Sequence, residues 1–225
     1  MLPLRDDLPT RRFPVATVAL IAVNVVVFVV ELLLQAGGSL DEFFMHWGVI
    51  PYEVTRNFGA HALATLLTST FLHGGFMHIA GNMLYLWIFG NNVEDTMGRF
   101  KFVLFYLLCG VLSGLAQVAA NTTSEVPAIG ASGAIAGVLG AYLVLFPRAR
   151  VATLVFLGIF ARIANLPAVV VLGFWFVLQL LNGVLAVSTF ESGGVAWFAH
   201  IGGFVAGLIL VWLFARRRRP AAPTY

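Results

Sequence analysis

Six stretches of the chain are apolar for long enough, or nearly so, to cross a bilayer: residues 13–34, 76–93, 100–120, 132–147, 163–187 and 196–215. A helix needs about 20 apolar residues to span a hydrocarbon core of about 30 Å. The pattern predicts an all-α polytopic membrane protein, a six-helix bundle with a long outer loop, residues 35–75, after the first span. The fourth run is too short to reach the outer surface. Its N-terminus must therefore begin below the membrane plane, and the segment VPAIGA before it must dip into the protein. Backbone outside a helix is tolerated at that depth only where protein buries it or water reaches it.

Composition agrees with this pattern. The chain is 60% hydrophobic and 10% charged, whereas soluble domains carry about 25% charged residues. The first run lacks the small-residue cleavage pattern of a signal peptide and is expected to be retained as a span. Charge then orients the bundle. Twelve of the 13 Lys and Arg flank the inner ends of six alternating spans, and Arg56 alone lies in an outer connection. The positive-inside rule places both termini in the cytoplasm. The expected organisation is a cytoplasmic segment 1–12, a membrane domain 13–215 and a basic cytoplasmic tail 216–225, in a bacterial inner membrane. The basic tail faces anionic lipid, and the net charge of +3 calls for no nucleic-acid partner. The single cysteine, Cys109, reads as a small core residue. In the first loop, FFMHWGVIP (43–51) is expected to lie in the headgroup zone.

The unusual polar residues fall in one layer. His78, Ser132 and His200 each lie 16 residues from the first inner charge of their span, at Glu94, Arg148 and Arg216. That is about 24 Å of helix. Ser132 opens the fourth span beside Gly133-x-x-x-Gly137, and His200 precedes Gly203-x-x-x-Gly207 in the sixth. Taken singly, such motifs are helix-packing devices. Together they let two backbones approach until the Ser132 hydroxyl meets the His200 imidazole. A serine hydroxyl is a weak nucleophile until a base takes its proton, and histidine suits that role. The free N–H groups opening the fourth span, with Asn82 and His78 one turn apart on the second, would receive a developing oxyanion. None of the ten acids falls in this layer by sequence, so a Ser–His dyad is the economical reading. A metal centre is not expected. His73 and His78 would stand about 140° apart on a helix, and no H-E-x-x-H occurs.

The motifs HGGFMHIAGN (73–82), GASGAIAG (130–137) and AHIGGFVAG (199–207), in this order, resemble those of the rhomboid intramembrane serine proteases. The resemblance covers roughly residues 70–215. It implies Ser132 as nucleophile, His200 as general base, and His78, Asn82 and the Ser132 N–H as the oxyanion site. It also implies a structural role for Glu94 and a cavity-shaping role for His73. The implied substrates are transmembrane segments of other membrane proteins, entering sideways near the second and fifth spans, with no cofactor. Phe174, Trp175 and Phe176 would border that route. Two features depart from some members. Ala136 stands where an aromatic ring stacks on the histidine, and the first loop lacks a Trp-Arg pair. Two other functions compete: a catalytically silent rhomboid-like binding or quality-control protein, and a transporter using the same polar residues as a relay.

Overall fold

The structure, a computed structural model, describes residues 1–157, 160–189 and 195–215. The tail 216–225 and residues 190–194 of the last outer segment lie outside the described residues, as does the Arg216 used above to set the depth of His200. The described elements are β1 (Leu2–Asp6), α1 (Val15–Ala36), α2 (Leu40–Trp47), α3 (Pro51–Arg56), α4 (Ala60–Thr68), α5 (Phe76–Met97), α6 (Arg99–Ala120), α7 (Ser132–Leu145), β2 (Arg150–Leu157), β3 (Phe160–Pro167), α8 (Ala168–Thr189) and α9 (Trp197–Phe214). Each apolar run has its helix: α1, α5, α6, α7, α8 and α9. Four of these, α1, α6, α8 and α9, are long and apolar enough by themselves to cross a membrane. α7 is shorter, and α5 is interrupted by His78, Asn82, Asn91 and Asn92.

Burial sorts the helices by role. α7 is apolar all round, and Gly133 to Tyr142 are all buried, as expected of a helix surrounded by others. α1 and α8 instead turn wide apolar faces outward, with Leu33 70% and Val184 68% exposed. In water such faces would drive aggregation; in a bilayer they meet lipid. Small residues bring α6, α7 and α9 together at the centre. Cys109 is buried here, where a side chain added at Gly137 would meet it.

The fifth span begins later than the apolar run suggests. Residues 160–167 form β3, so α8 starts at Ala168 rather than at 163. β2 and β3 pair antiparallel from Arg150↔Pro167 to Leu157↔Phe160. In RVATLVFL the consecutive residues Val151, Ala152 and Thr153 are buried, while Phe156 nearer the hairpin tip is 60% exposed. The β-branched residues suit a strand, and Pro167 is tolerated because no ladder bond needs its N–H: the next bond between these segments runs from Ala168 N to Ala149 O at 2.8 Å. A hydropathy window reads the end of β3, from Ile163 to Pro167, as continuous with the apolar helix behind it.

The N-terminal segment is stitched to the same end of the bundle. β1 pairs antiparallel with β2, giving a sheet of order β1–β2–β3. Asp6 Oδ2 accepts from Tyr142 Oη on α7 at 2.6 Å and from Asn92 Nδ2 on α5 at 2.7 Å. Burial raises the Asp6 pKa above its ordinary value, and the Tyr142 hydroxyl opposes that rise.

Glu94 joins the first two apolar helices. α1 has no N-cap side chain of its own. The buried Glu94 carboxylate, from the last turns of α5, supplies one. It accepts from Ala16 N at 3.0 Å, Thr17 N at 2.7 Å and Thr17 Oγ1 at 2.8 Å. An N-terminal turn carries unpaired N–H groups and partial positive charge, so a carboxylate there is favourable on both counts. Glu94→Ala is expected to lower stability by about 2–4 kcal/mol, because buried donors lose a charged acceptor. Reversible unfolding in detergent measures it. Glu94→Gln keeps one acceptor oxygen and is expected to lose less.

Candidate active site

Ser132 is the first residue of α7, and its hydroxyl lies 2.7 Å from His200 Nε2 on α9. Two features of the backbone bring them this close. Gly203 and Gly207 of α9 rest on the carbonyls of Gly133 and Gly137 of α7. A Cβ at Gly203 would lie 2.0 Å from Gly133 O, and one at Gly207 would lie 1.9 Å from Gly137 O. The helices therefore touch backbone to backbone, one turn below the pair. The start of α9 is also held, because Ala199 N donates to Gln117 Oε1 of α6 at 3.2 Å.

His78 and Asn82 lie on α5 across a bend in the segment before α7. Gly130 has φ +135°, a conformation that favours glycine. A Cβ there would lie 2.8 Å from His78 Nε2 and 3.3 Å from Ser132 Oγ. The His78 ring and the Ser132 hydroxyl thus face the same point from two sides. His78 Nδ1 accepts from Gly74 N at 3.3 Å. Asn82 is buried, and its Nδ2 has no hydrogen-bond partner among the described residues. A buried amide donor without an acceptor is rare and is suited to a charge that arises only during a reaction. Ser132 N adds a donor from the N-terminal turn of α7. A small cavity beside Ser132 is lined by Ser69, Ser113 and Gln117 together with the apolar Val49, Ile129 and Ala199.

The structure corrects two arguments made from spacing. His73 precedes α5, which begins at Phe76, so the helical angle between His73 and His78 does not apply. Their rings meet edge to face with centroids 5.2 Å apart. A carboxylate also reaches the edge of the polar layer: Glu31 Oε1, from α1, accepts from His73 N at 3.0 Å. Linear position could not bring Glu31 to a histidine 42 residues later. Among the described residues no group of three or more His, Cys, Asp and Glu is placed to hold a metal.

The partner of the His200 ring is a residue that spacing did not single out. Gln179 on α8 lies with Oε1 2.8 Å from His200 Nδ1. It is the one polar side chain in an apolar stretch, LGFWFVLQLL, and that isolation was the available signal. Position 136 offers no ring, being alanine, and the imidazole is flanked instead by Trp175, its ring tilted 39° at 5.9 Å, and by Trp197, edge-on at 6.1 Å. Of the three aromatics expected along a lateral route, Phe174 is exposed, Phe176 stacks on Phe204, and Trp175 turns inward to the site.

A helical, lipid-facing bundle with a hydroxyl and an imidazole in contact between its closest-packed helices is an integral membrane protein with a built polar site. A family model of the Rhomboid domain matches residues 60–217, and the chain belongs to the rhomboid family. It is 30% identical over 173 residues to the mitochondrial presenilin-associated rhomboid-like protein of Rattus norvegicus, a match that covers 73% of this chain and 41% of that protein. It is 36% identical over 144 residues to rhomboid protease GluP of Bacillus subtilis, covering 63% of this chain and 24% of GluP. Rhomboid protein 1 of Saccharomyces cerevisiae, also mitochondrial, is 29% identical over 157 residues, covering 68% and 42%. The matches therefore span less than half the length of each of these relatives.

Proposed function

We propose that this protein is an intramembrane serine endopeptidase that hydrolyses peptide bonds in or near transmembrane segments of membrane proteins, with Ser132 as nucleophile and His200 as general base. The observation that carries the reading is the 2.7 Å contact between Ser132 Oγ and His200 Nε2. Membership of a family that includes a named protease supports the reaction class.

The chemistry follows from the donors and acceptors. As Ser132 Oγ attacks the scissile carbonyl carbon, His200 Nε2 takes its proton. The carbonyl oxygen becomes an oxyanion, met by Ser132 N–H, Asn82 Nδ2 and the His78 ring. The imidazolium then protonates the leaving amine, and the C–N bond breaks to leave an ester on Ser132. Water attacks that ester with the same imidazole as base, and the acid product departs. Substrate enters sideways near α5 and α8. The proposed setting is a bacterial inner membrane; the charge asymmetry supports the orientation, with the Arg-rich end in the cytoplasm and the site opening to the opposite face.

The test is covalent. The detergent-solubilised protein is treated with a fluorophosphonate probe, and the adduct is mapped by mass spectrometry. A single adduct at Ser132, absent from His200→Ala, is the expected result. No adduct, or an adduct at another residue, defeats the proposal.

A further inference from the structure

We infer that Gln179 is a positioning residue for the base: its side-chain oxygen selects the His200 tautomer that leaves Nε2 free to take the Ser132 proton. This rests on the serine-endopeptidase reading of the site.

The hydrogen-bond partners fix every proton in the chain. Gln179 is buried on α8, and one end of its amide lies 3.2 Å from Trp175 O. A carbonyl only accepts, so that end must be the NH2 group. The other end, 2.8 Å from His200 Nδ1, is then the oxygen, which also only accepts. Nδ1 must therefore carry the proton. A neutral imidazole has one N–H, so Nε2 is bare, and it faces Ser132 Oγ at 2.7 Å. The hydroxyl donates to it. The opposite tautomer would point an N–H at the serine and would leave Nδ1 and Gln179 Oε1 as two acceptors in contact.

An amide oxygen suits this position better than a carboxylate. A carboxylate among apolar helices is costly to ionise, and the described residues near His200 hold no cation to pair with it. The amide dipole still favours the imidazolium formed during attack, at lower strength than a full charge. The acceptor also sits on a different helix from the reacting pair. Ser132 and His200 belong to α7 and α9, which touch backbone to backbone. α8 turns an apolar face outward through Phe174, Val177 and Leu181. A shift of α8 would therefore part Gln179 from the base without parting the base from the serine.

The experiment compares Gln179→Leu and Gln179→Glu with the wild-type full chain in proteoliposomes. Cleavage of a transmembrane substrate is followed across pH, the thermal midpoint of each variant is measured, and the ring nitrogens of His200 are read by solid-state 15N NMR. Gln179→Leu removes the acceptor at similar volume. Its kcat is expected to fall about 10- to 100-fold, the range of a partly disabled base, with KM within about twofold. Its spectrum should lose the single Nδ1–H form. Gln179→Glu keeps an acceptor and adds charge that favours imidazolium, so it should recover activity relative to Gln179→Leu and move the acid limb of kcat/KM to higher pH. Unchanged kcat in Gln179→Leu overturns the inference, as do losses in both variants that merely track the thermal midpoint. A wild type with neither cleavage nor acylation at Ser132 defeats the protease reading instead, and the nitrogen spectrum still reports the tautomer.

Discussion

The Ser132→Ala protein is expected to cleave a transmembrane substrate at least about 10⁴-fold more slowly than the wild type, the scale of losing a serine nucleophile. It should also fold normally. Both halves follow from the position. Ser132 opens α7 and is only partly buried, and its hydroxyl is bonded to His200. Alanine there keeps the Cβ, leaves the glycine contacts of α7 and α9 untouched, and loses one hydrogen bond, worth about 1 kcal/mol. The residual rate would come from the remaining oxyanion donors acting on bound substrate with water as nucleophile. The measurement is single-turnover cleavage in proteoliposomes beside a thermal midpoint. Cleavage retained within tenfold, in a folded protein, would remove Ser132 from the reaction.

Gly207→Ala is expected to destabilise the protein by about 3 kcal/mol or more, the scale of a core clash that backbone must absorb. Local propensity predicts the opposite sign, because alanine is favoured over glycine in a helix interior by about 1 kcal/mol. The clash prevails because of what the new methyl meets. It would lie 1.9 Å from Gly137 O and 2.6 Å from Gly137 C, which are main-chain atoms with no rotamer to change. α9 would have to move away from α7. His200, two turns above Gly207 on α9, would move with it and lose its 2.7 Å contact with Ser132. Activity should therefore fall further than the folded fraction does. Gly173→Ala is the control, since nothing lies within 4 Å of a Cβ there. It should be neutral or slightly stabilising. Unfolding in detergent with activity per folded molecule separates the two effects, and a stabilised Gly207→Ala protein would refute the packing argument.

Parts of this architecture could be read along the chain because they are local. Hydropathy over about 20 residues marks a helix that must leave water, for lipid or for other helices, and five of the six runs coincide with their helices within a few residues, the fifth excepted. There the window joined the apolar end of β3 to the helix that follows it and missed the β2–β3 hairpin. Glycine spacing along 133–137 and 203–207 signalled two helices able to approach closely, because the missing side chains are themselves the sequence feature. His78 and Asn82 share a face by simple helical repeat.

Sequence alone determined which segments leave water, which helices could come close, and which polar residues share a level, because helical rise and transfer free energy act within one segment. The tertiary structure alone decided what each polar atom faces. Glu94 caps α1 from 77 and 78 residues away, Glu31 meets His73 N, and Gln179 meets His200 Nδ1. Each is a hydrogen bond between helices, fixed by their rotation and crossing to within a fraction of an ångström. No periodicity within a single helix encodes that rotation; it is set when all the apolar faces pack at once.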